Sequence, residues 1–164
     1  MSKRDPALSV LVADPSSHMA SLVAVMLRSI GIRSVGATLD LPHAAAELAR
    51  RPYGLILIDE QLGGKEGFDM IRALRHLADH PNRETPIFMM AGAPDARMIA
   101  TARDAGVTEF LKKPFSAEHI QLRLDGLKRA PRAFVEGQSY TGPDRRRRTV
   151  SGATRRRASD PPAA

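Results

Sequence analysis

A short apolar run that stops on a carboxylate constrains this chain more than any other feature. Residues 55–59 read Leu-Ile-Leu-Ile-Asp and follow Pro52-Tyr53-Gly54. An uninterrupted run of bulky aliphatic side chains of this length is typical of a strand buried on both faces of a parallel sheet. Asp59 would then lie at the carboxyl end of that strand, where open α/β sheets place their ligand crevice.

Two more predicted strands lead into charged residues. Residues 9–13 precede Asp14, and residues 107–111 precede Lys112-Lys113-Pro114. A single Asp after a strand is most often a helix N-cap, so the prediction depends on all three charged groups together. We expect two carboxylates and an ammonium to meet at one edge of the sheet. Such a group suits a divalent metal and a phosphoryl group.

Strand and helix patterns alternate over the first 130 residues. The predicted strands span residues 9–13, 32–37, 55–59, 86–90 and 107–111. The predicted helices begin at cap residues, Ser16 or Ser17, Asp40 and Ser116, and two of them end at glycines, Gly31 and Gly106. This alternation predicts an α/β fold, a doubly wound five-stranded parallel sheet of (βα)5 flavodoxin type with helices on both faces.

Composition excludes several classes of protein. The chain has no Cys, which rules out disulfide frameworks, thiol catalysis and Cys-ligated zinc. It has no apolar run as long as a membrane span and no signal-peptide pattern at its start, so we expect a cytoplasmic protein without a membrane partner. No Ser, His and Asp form a nucleophile–base pattern, and the five His residues show no metal-ligand spacing. We therefore expect a binding protein and not an enzyme.

The alternating pattern stops at Ala130-Pro131. Residues 131–164 contain eight Arg and no Lys, and they carry a net charge of +5 out of +7 for the chain. Pro, Gly, Ser and Thr supply most of the remainder, with little apolar surface to offset the entropy of ordering. We predict a folded domain over residues 7–130 and a disordered, arginine-rich tail over residues 131–164.

The chain over roughly residues 7–130 resembles the receiver domain of the CheY-like response regulators. The matching residues are Asp14, Asp59, Gly67 and Lys113-Pro114-Phe115. The resemblance implies that Asp59 is the phosphoryl acceptor, that Lys113 pairs with the phosphoryl group, and that Lys113-Pro114 is a cis peptide. It also implies a Mg²⁺ site formed by Asp14, Asp59 and the backbone carbonyl of Gln61.

Three positions depart from the receiver pattern. Ala13 stands where receivers usually have a second acid, and Ala91 stands where they have the Ser or Thr that binds the phosphoryl group. Phe110 replaces the usual Tyr of the switch and cannot donate a hydrogen bond. Because a hydrogen bond to a charged oxygen contributes roughly 1.5 to 3 kcal/mol, we expect weak Mg²⁺ binding and a degenerate phosphoryl switch.

The tail contains a particular motif, Tyr140-Thr-Gly-Pro-Asp-Arg-Arg-Arg-Arg148. Arginine forks bind guanine O6 and N7 or phosphate bidentately and stack on purine faces, which Lys cannot do. Tyr140 adds a stacking surface, and Gly142-Pro143 predicts a turn that folds it back over the arginines. Cyclic di-GMP, with two guanines and two phosphates, matches this chemistry. The alternative is a basic tail that contacts acidic surfaces or RNA without specificity.

The motif also resembles the arginine-rich tails of Cle-type CheY-like regulators of alphaproteobacteria, which bind cyclic di-GMP and act on the flagellar motor. The predicted nucleotide-binding residues are Tyr140, Asp144, Arg145, Arg146, Arg147 and Arg148, with Arg155, Arg156 and Arg157 as auxiliary charge. The resemblance implies docking on the flagellar motor switch or another signalling protein, through a face around Met98, Phe110 and Ile120.

Two other functions stay open at this stage. The first is a single-domain phospho-acceptor in a histidine-kinase relay, with a tail that is not nucleotide-specific. The second is a nucleic-acid binder that uses the tail as a sequence-independent phosphate clamp. No element of the chain predicts a fold that reads a specific nucleic-acid sequence.

Overall fold

The structure is a computed structural model that describes residues 8–146. The strands of its main sheet are β1 Ser9–Ala13, β2 Ser34–Thr38, β3 Leu55–Asp59, β4 Ile87–Ala91 and β5 Glu109–Lys112. The helices are α1 Ser17–Ser29, α2 Leu41–Arg50, α3 Lys65–His76, α4 Ala96–Ala105 and α5 Ala117–Arg129. All five strands are parallel, in the order β2-β1-β3-β4-β5, which confirms the predicted doubly wound fold.

Side-chain caps fix where the helices begin. Ser16 accepts a hydrogen bond from the Met19 amide at 3.2 Å, and Asp40 accepts one from the His43 amide at 2.9 Å. Ser116 and His119 form a reciprocal capping box at the start of α5. Each cap satisfies backbone N–H groups that have no partner within their own helix, so the strand-to-helix turns are well defined. These turns hold the charged residues that follow the strands.

The sheet separates two apolar cores. Helices α2, α3 and α4 cover one face, where Ile56, Ile58 and Ile71 pack together. Helices α1 and α5 cover the other face, around Leu55 and Leu57. Every residue of β3 and β4 is buried, as expected for central strands covered on both sides. Within residues 8–146, no helix combines the length and the apolarity that crossing a membrane requires.

Strand boundaries differ from the sequence prediction at β2 and β5, and β4 is shifted by one residue from the predicted 86–90 to Ile87–Ala91. Ile32, predicted as a strand residue, packs into the α1–α5 core before β2 begins at Ser34. Val107 and Thr108 precede β5, although the Thr108 amide already bonds to the Ile87 carbonyl at 2.8 Å. Ile32 and Val107 are apolar residues that flank a strand and are buried in a core, so their pattern resembles that of strand residues.

The structure corrects the expectation of disorder for part of the tail. Strands β6 Phe134–Glu136 and β7 Thr141–Pro143 form an antiparallel hairpin. The Asp144 amide closes the hairpin with a 2.7 Å bond to the Ala133 carbonyl. Composition averaged over the whole tail hides the apolar and aromatic residues that this stretch buries. The prediction for residues 147–164 lies outside the described residues.

The hairpin packs on the end of the domain that is opposite to the predicted phosphoryl site. Arg132 pairs with Glu109 of β5 at 2.5 Å, and Glu136 pairs with Arg83 of the α3–β4 loop at 2.7 Å. Those partners lie where β4 and β5 begin, whereas Asp59 lies where β3 ends. Because all five strands are parallel, their amino ends lie on one side of the sheet and their carboxyl ends on the opposite side. The hairpin therefore lies at the amino ends and Asp59 at the carboxyl ends.

Candidate functional site

Three strands bring the predicted charged residues together at the carboxyl edge of the sheet. Asp59 ends β3, and its Oδ1 accepts a short hydrogen bond from the Lys113 ammonium, which follows β5. Its Oδ2 accepts a bond from the Gln61 amide at 2.9 Å. Asp59 is only 2% exposed, so the ion pair is largely shielded from water on the carboxylate side. The Lys113-Pro114 bond is cis, as the resemblance implies.

Asp14 lies in the same cluster, just beyond β1. Its Oδ1 accepts a bond from the Ser16 amide at 2.8 Å, whereas its buried Oδ2 has no hydrogen-bond partner among residues 8–146. Burial raises the pKa of Asp14, and the nearby charge of Asp59 raises it further. The Ser16 amide and the Lys113 ammonium lower this pKa in part. A buried carboxylate with an oxygen to spare is suited to bind a cation.

The donor set fits a weak magnesium site. Mg²⁺ prefers oxygen ligands and retains several waters when few protein ligands are present. Asp14, Asp59 and the Gln61 backbone carbonyl are the groups that would hold it, and the ion would supply positive charge for phosphoryl transfer. Within the described range, no group of three or more His, Cys, Asp or Glu side chains gathers around one point. Residues 8–146 therefore offer the ion few charged ligands.

The three departures from the receiver pattern lie in or beside this site. Ala13 is buried at the end of β1, directly before Asp14. Ala91 is buried at the end of β4, and its carbonyl accepts the Lys113 amide hydrogen at 2.8 Å. Phe110 is half-buried against the α2–α4 core. The site thus has methyl groups where an acid and a hydroxyl would bind the metal and the phosphoryl group.

Glu60 belongs to the same edge, although the sequence analysis did not single it out. Its Oε1 accepts a hydrogen bond from the Gly92 amide at 3.0 Å, which joins the loops that follow β3 and β4. The available signal was its position beside Asp59 at the end of a buried strand. Glu60 therefore helps to hold the start of the loop after β4, directly beside Ala91.

A groove of about 590 Å³ adjoins the site on the β5–α5 side, and Phe110, Lys113 and Phe115 line part of it. The expected docking face needs one correction here. Ile120 is fully buried in the α1–α5 core and cannot contact a partner. Leu122, two residues later, is 55% exposed and lines the groove instead.

The described tail residues form a separate cluster at the opposite edge. Arg145 lies over the Tyr140 ring, with its guanidinium carbon 4.3 Å from the ring centroid, and pairs with Asp104 of α4. Asp144 accepts a bond from the Arg146 amide at 3.0 Å. The chain does fold Tyr140 against an arginine as predicted, but Thr141 to Pro143 form β7 and not a turn. Arg147, Arg148 and Arg155 to Arg157 lie outside the described residues.

Tyr140 is less accessible than the sequence suggested. It is 9% exposed, and its hydroxyl donates a 2.7 Å hydrogen bond to the Pro143 carbonyl. Burial raises the pKa of Tyr140, while the Arg145 guanidinium lowers it in part. The structure therefore places this predicted ligand residue in the packing between the hairpin and the domain.

A buried arginine under this region was missed by the sequence analysis. Arg75 of α3 is 0% exposed, and its guanidinium donates to the carbonyls of Gly106, Arg83 and Thr85 at 2.6 to 3.1 Å. Burial lowers its pKa to about 10, so it remains charged at neutral pH. The sequence signal was an arginine four residues after Ile71, within the apolar stripe of α3. Arg75 ties the loops before β4 and β5 together beneath the hairpin.

A doubly wound sheet with two buried carboxylates and a lysine at its carboxyl edge defines a receiver-type signalling domain. Residues 10–125 match the family of the response regulator receiver domain, and the chain therefore belongs to that family.

Known proteins of this family are similar over the same region. The chain is 26% identical over 118 residues to the chemotaxis protein CheY-3 of Vibrio cholerae, covering 72% of this chain and 89% of that protein. It is 29% identical over 132 residues to the protein PetR of Rhodobacter capsulatus, covering 80% of this chain and 53% of PetR.

Solved structures agree with this assignment. The chemotaxis protein CheY4 of Vibrio cholerae is 25% identical with a TM-score of 0.65, over 73% of this chain and 98% of that one. The receiver domain of the sensor histidine kinase PA1611 from Pseudomonas aeruginosa is 26% identical with a TM-score of 0.63, over 73% of this chain and 95% of that one. That structure has a magnesium ion coordinated in its active-site cleft.

Proposed function

We propose that this receiver-type protein is a non-enzymatic cytoplasmic signalling protein whose arginine-rich segment binds cyclic di-GMP. The bound form then docks on a partner, the flagellar motor switch. The observation that carries the proposal is the contact between the Arg145 guanidinium and the Tyr140 ring, at 4.3 Å, inside the Tyr-Thr-Gly-Pro-Asp-Arg motif. It shows that this segment brings together a planar cation and an aromatic face, the two groups that stack with a purine.

The chemistry of the neighbouring residues supports a guanine nucleotide. Arg146 is exposed and offers a fork for guanine O6 and N7 or for phosphate. Arg145 would offer a second fork once it leaves its pair with Asp104. Asp144 offers a carboxylate, which can accept hydrogen bonds from the donor edge of guanine. Arg147 and Arg148, outside the described residues, would extend the same set of forks. A compact ligand with two guanines and two phosphates uses all of these groups.

The proposal gives the phosphoryl site a minor role. Asp59 and Lys113 keep the ion pair that a receiver needs, and Asp14 keeps a spare oxygen for Mg²⁺. Ala13 and Ala91 remove one metal ligand and one hydrogen bond to the phosphoryl group, so phosphorylation of Asp59 should be slow. The Asp14 oxygen is the one observation that favours the second candidate, a phospho-acceptor served by a histidine kinase.

The groove beside β5 and α5 is the proposed docking surface for the protein partner. It combines apolar side chains, Phe110, Phe115 and Leu122, with the charged Lys112 and Arg123. A partner that binds there would present an apolar residue flanked by acids. Two of the named relatives, CheY-3 and CheY4 of Vibrio cholerae, are chemotaxis proteins, which supports a partner in motility.

Calorimetry on the full chain with cyclic di-GMP tests the proposal, with Arg145 to Arg148 changed to Lys as the matched variant. This variant keeps the charge and can keep the ion pair with Asp104, but it loses the planar forks. Each lost fork should cost roughly 1 to 3 kcal/mol, so binding should weaken by about a hundredfold or more. A chain shortened after Ala130 is a poorer comparison because it also loses the packing of the hairpin on the domain.

Three results would contradict the proposal. No saturable heat with cyclic di-GMP would exclude the ligand. Normal binding by the four-Lys variant would show that the arginines act only as a basic patch. Equal competition by GTP or short RNA, with a steep loss of binding in salt, would favour the sequence-independent phosphate clamp.

A further inference from the structure

The conformation of the hairpin covers the residue that would stack on a base. One face of the Tyr140 ring lies under the Arg145 guanidinium, and the side chain as a whole is 9% exposed. Gly142 is packed so closely that a Cβ there would lie 2.6 Å from the Tyr140 hydroxyl and 3.3 Å from Gly106 of the domain. A base therefore cannot reach Tyr140 unless this packing opens.

The first arginine of the motif is also engaged. Arg145 donates a short hydrogen bond to the carboxylate of Asp104, in the last turn of α4. Asp104 is outside the tail, so this contact ties the motif to the domain. A guanidinium that is bound to a carboxylate on one edge and stacked on Tyr140 cannot at the same time present its full fork to guanine or phosphate.

Further contacts hold the hairpin in this position from its other strand. Arg83 pairs with Glu136 at 2.7 Å and lies over the Phe134 ring at 5.1 Å. Arg83 in turn donates a 2.9 Å bond to the carbonyl of the buried Arg75. Arg132 pairs with Glu109 at the root of the hairpin. The hairpin is thus docked along its length on the loops before β4 and β5 and on the end of α4.

We propose that residues 132–146 form a latch that is closed in this structure and that cyclic di-GMP binds only when the latch opens. Tyr140 and Arg145 serve either the domain or the nucleotide, because the same ring face and the same guanidinium are needed in both states. The inference rests on the function proposed above. Since the closed form cannot bind, the apparent affinity is lower than the intrinsic affinity by the fraction of open molecules. Nucleotide binding would in turn release the hairpin, free Asp104 from its pair with Arg145 and expose Arg83.

Variants outside the Tyr140 to Arg148 motif can open the latch without removing a ligand residue. Phe134→Ala removes the ring under Arg83, and Asp104→Asn removes the partner of Arg145. Asp69→Asn is the matched control, because Asp69 and Asp104 are 54% and 60% exposed in comparable arginine pairs and only Asp104 touches the hairpin. The control also corrects for the general effect of removing one negative charge.

Two measurements on the full-length protein show whether the nucleotide binds the open or the closed hairpin. The first is calorimetry with cyclic di-GMP, and the second is hydrogen exchange of amides 133–144 with and without the nucleotide. We expect Asp104→Asn to bind about two- to fivefold more tightly, the range that exposed ion pairs contribute. Phe134→Ala should bind about tenfold more tightly, since the open fraction rises. Asp69→Asn should bind like the wild type. Exchange of the hairpin amides should be faster in the two latch variants and in the wild type with nucleotide.

The opposite pattern would overturn the latch and leave the proposed function standing. If cyclic di-GMP binds to the wild type, slows exchange of the hairpin amides, and binds more weakly to Phe134→Ala, the closed hairpin is itself the binding form. If neither the wild type nor the opened variants give saturable heat, the proposed ligand is wrong and the latch has no nucleotide to compete with.

Discussion

A hydroxyl introduced at position 91 should speed phosphoryl transfer to Asp59. Ala91 is buried at the end of β4, next to β3, and its carbonyl already bonds to the amide of Lys113. Position 91 matches the receiver residue whose hydroxyl binds the phosphoryl group, and its carbonyl is bonded to the lysine that pairs with Asp59. In Ala91→Thr, the new hydroxyl can donate a hydrogen bond to a phosphoryl oxygen.

The size of the effect follows from the charge of the acceptor. A hydrogen bond to a charged oxygen contributes roughly 1.5 to 3 kcal/mol, which corresponds to about a 10- to 100-fold faster reaction if the bond is formed in the transition state. Before the reaction the same hydroxyl is buried without that acceptor, which should lower the free energy of unfolding by about 1 to 3 kcal/mol. The variant should thus be less stable and more reactive.

The assay is the rate of phosphorylation by acetyl phosphate in Mg²⁺, followed by intact mass, together with urea unfolding of the unmodified protein. Ala91→Val is the matched control, since Val has the shape of Thr without its hydroxyl. Asp59→Asn confirms that the label is on Asp59. If Ala91→Val reacts as fast as Ala91→Thr, or if the wild type is already labelled rapidly and completely, position 91 does not limit the reaction.

Three further predictions concern the described residues. Burial raises the pKa of Asp14 above its usual 3.8, so the folded protein holds this proton more tightly than the unfolded chain does. The free energy of unfolding should therefore fall as pH rises above 3.8. In urea unfolding, Asp14→Asn should flatten this pH dependence. The same variant should abolish any stabilisation by Mg²⁺. Arg75→Met removes the donor to three loop carbonyls that are buried or partly buried. Removal of a buried charge offsets only part of this cost, so the free energy of unfolding should fall by about 2 to 4 kcal/mol. An unchanged urea midpoint would contradict this. Tyr140→Phe keeps the stacking ring and loses only the bond to the Pro143 carbonyl. It should lower the free energy of unfolding by about 1 kcal/mol and bind cyclic di-GMP at least as tightly as the wild type. Weaker binding in calorimetry would count against the latch.

Local chemistry was enough to predict most of the domain and the site at its carboxyl edge. The apolar run of residues 55–59, with its terminal carboxylate, specifies a buried central strand because no other short element buries five consecutive side chains on both faces. Ser16, Asp40 and Ser116 cap helices through bonds to amides only three residues away. Parallel strands joined by helices then share one carboxyl edge, so Asp14, Asp59 and Lys113 meet there without any knowledge of distant contacts.

The docking of the hairpin and the burial of Arg75 depend on tertiary contacts that the sequence pattern does not show. Arg83 and Glu109 pair with Glu136 and Arg132 of the hairpin segment, and Gly142 packs close to Gly106 of the domain. Arg75 is buried because three loop carbonyls, up to 31 residues away in sequence, converge on its guanidinium. Sequence patterns report the balance of apolar area and chain entropy within a short window. They do not report a packing surface that another part of the chain supplies, and that surface is what holds the hairpin of residues 134–143 against the domain and buries Tyr140.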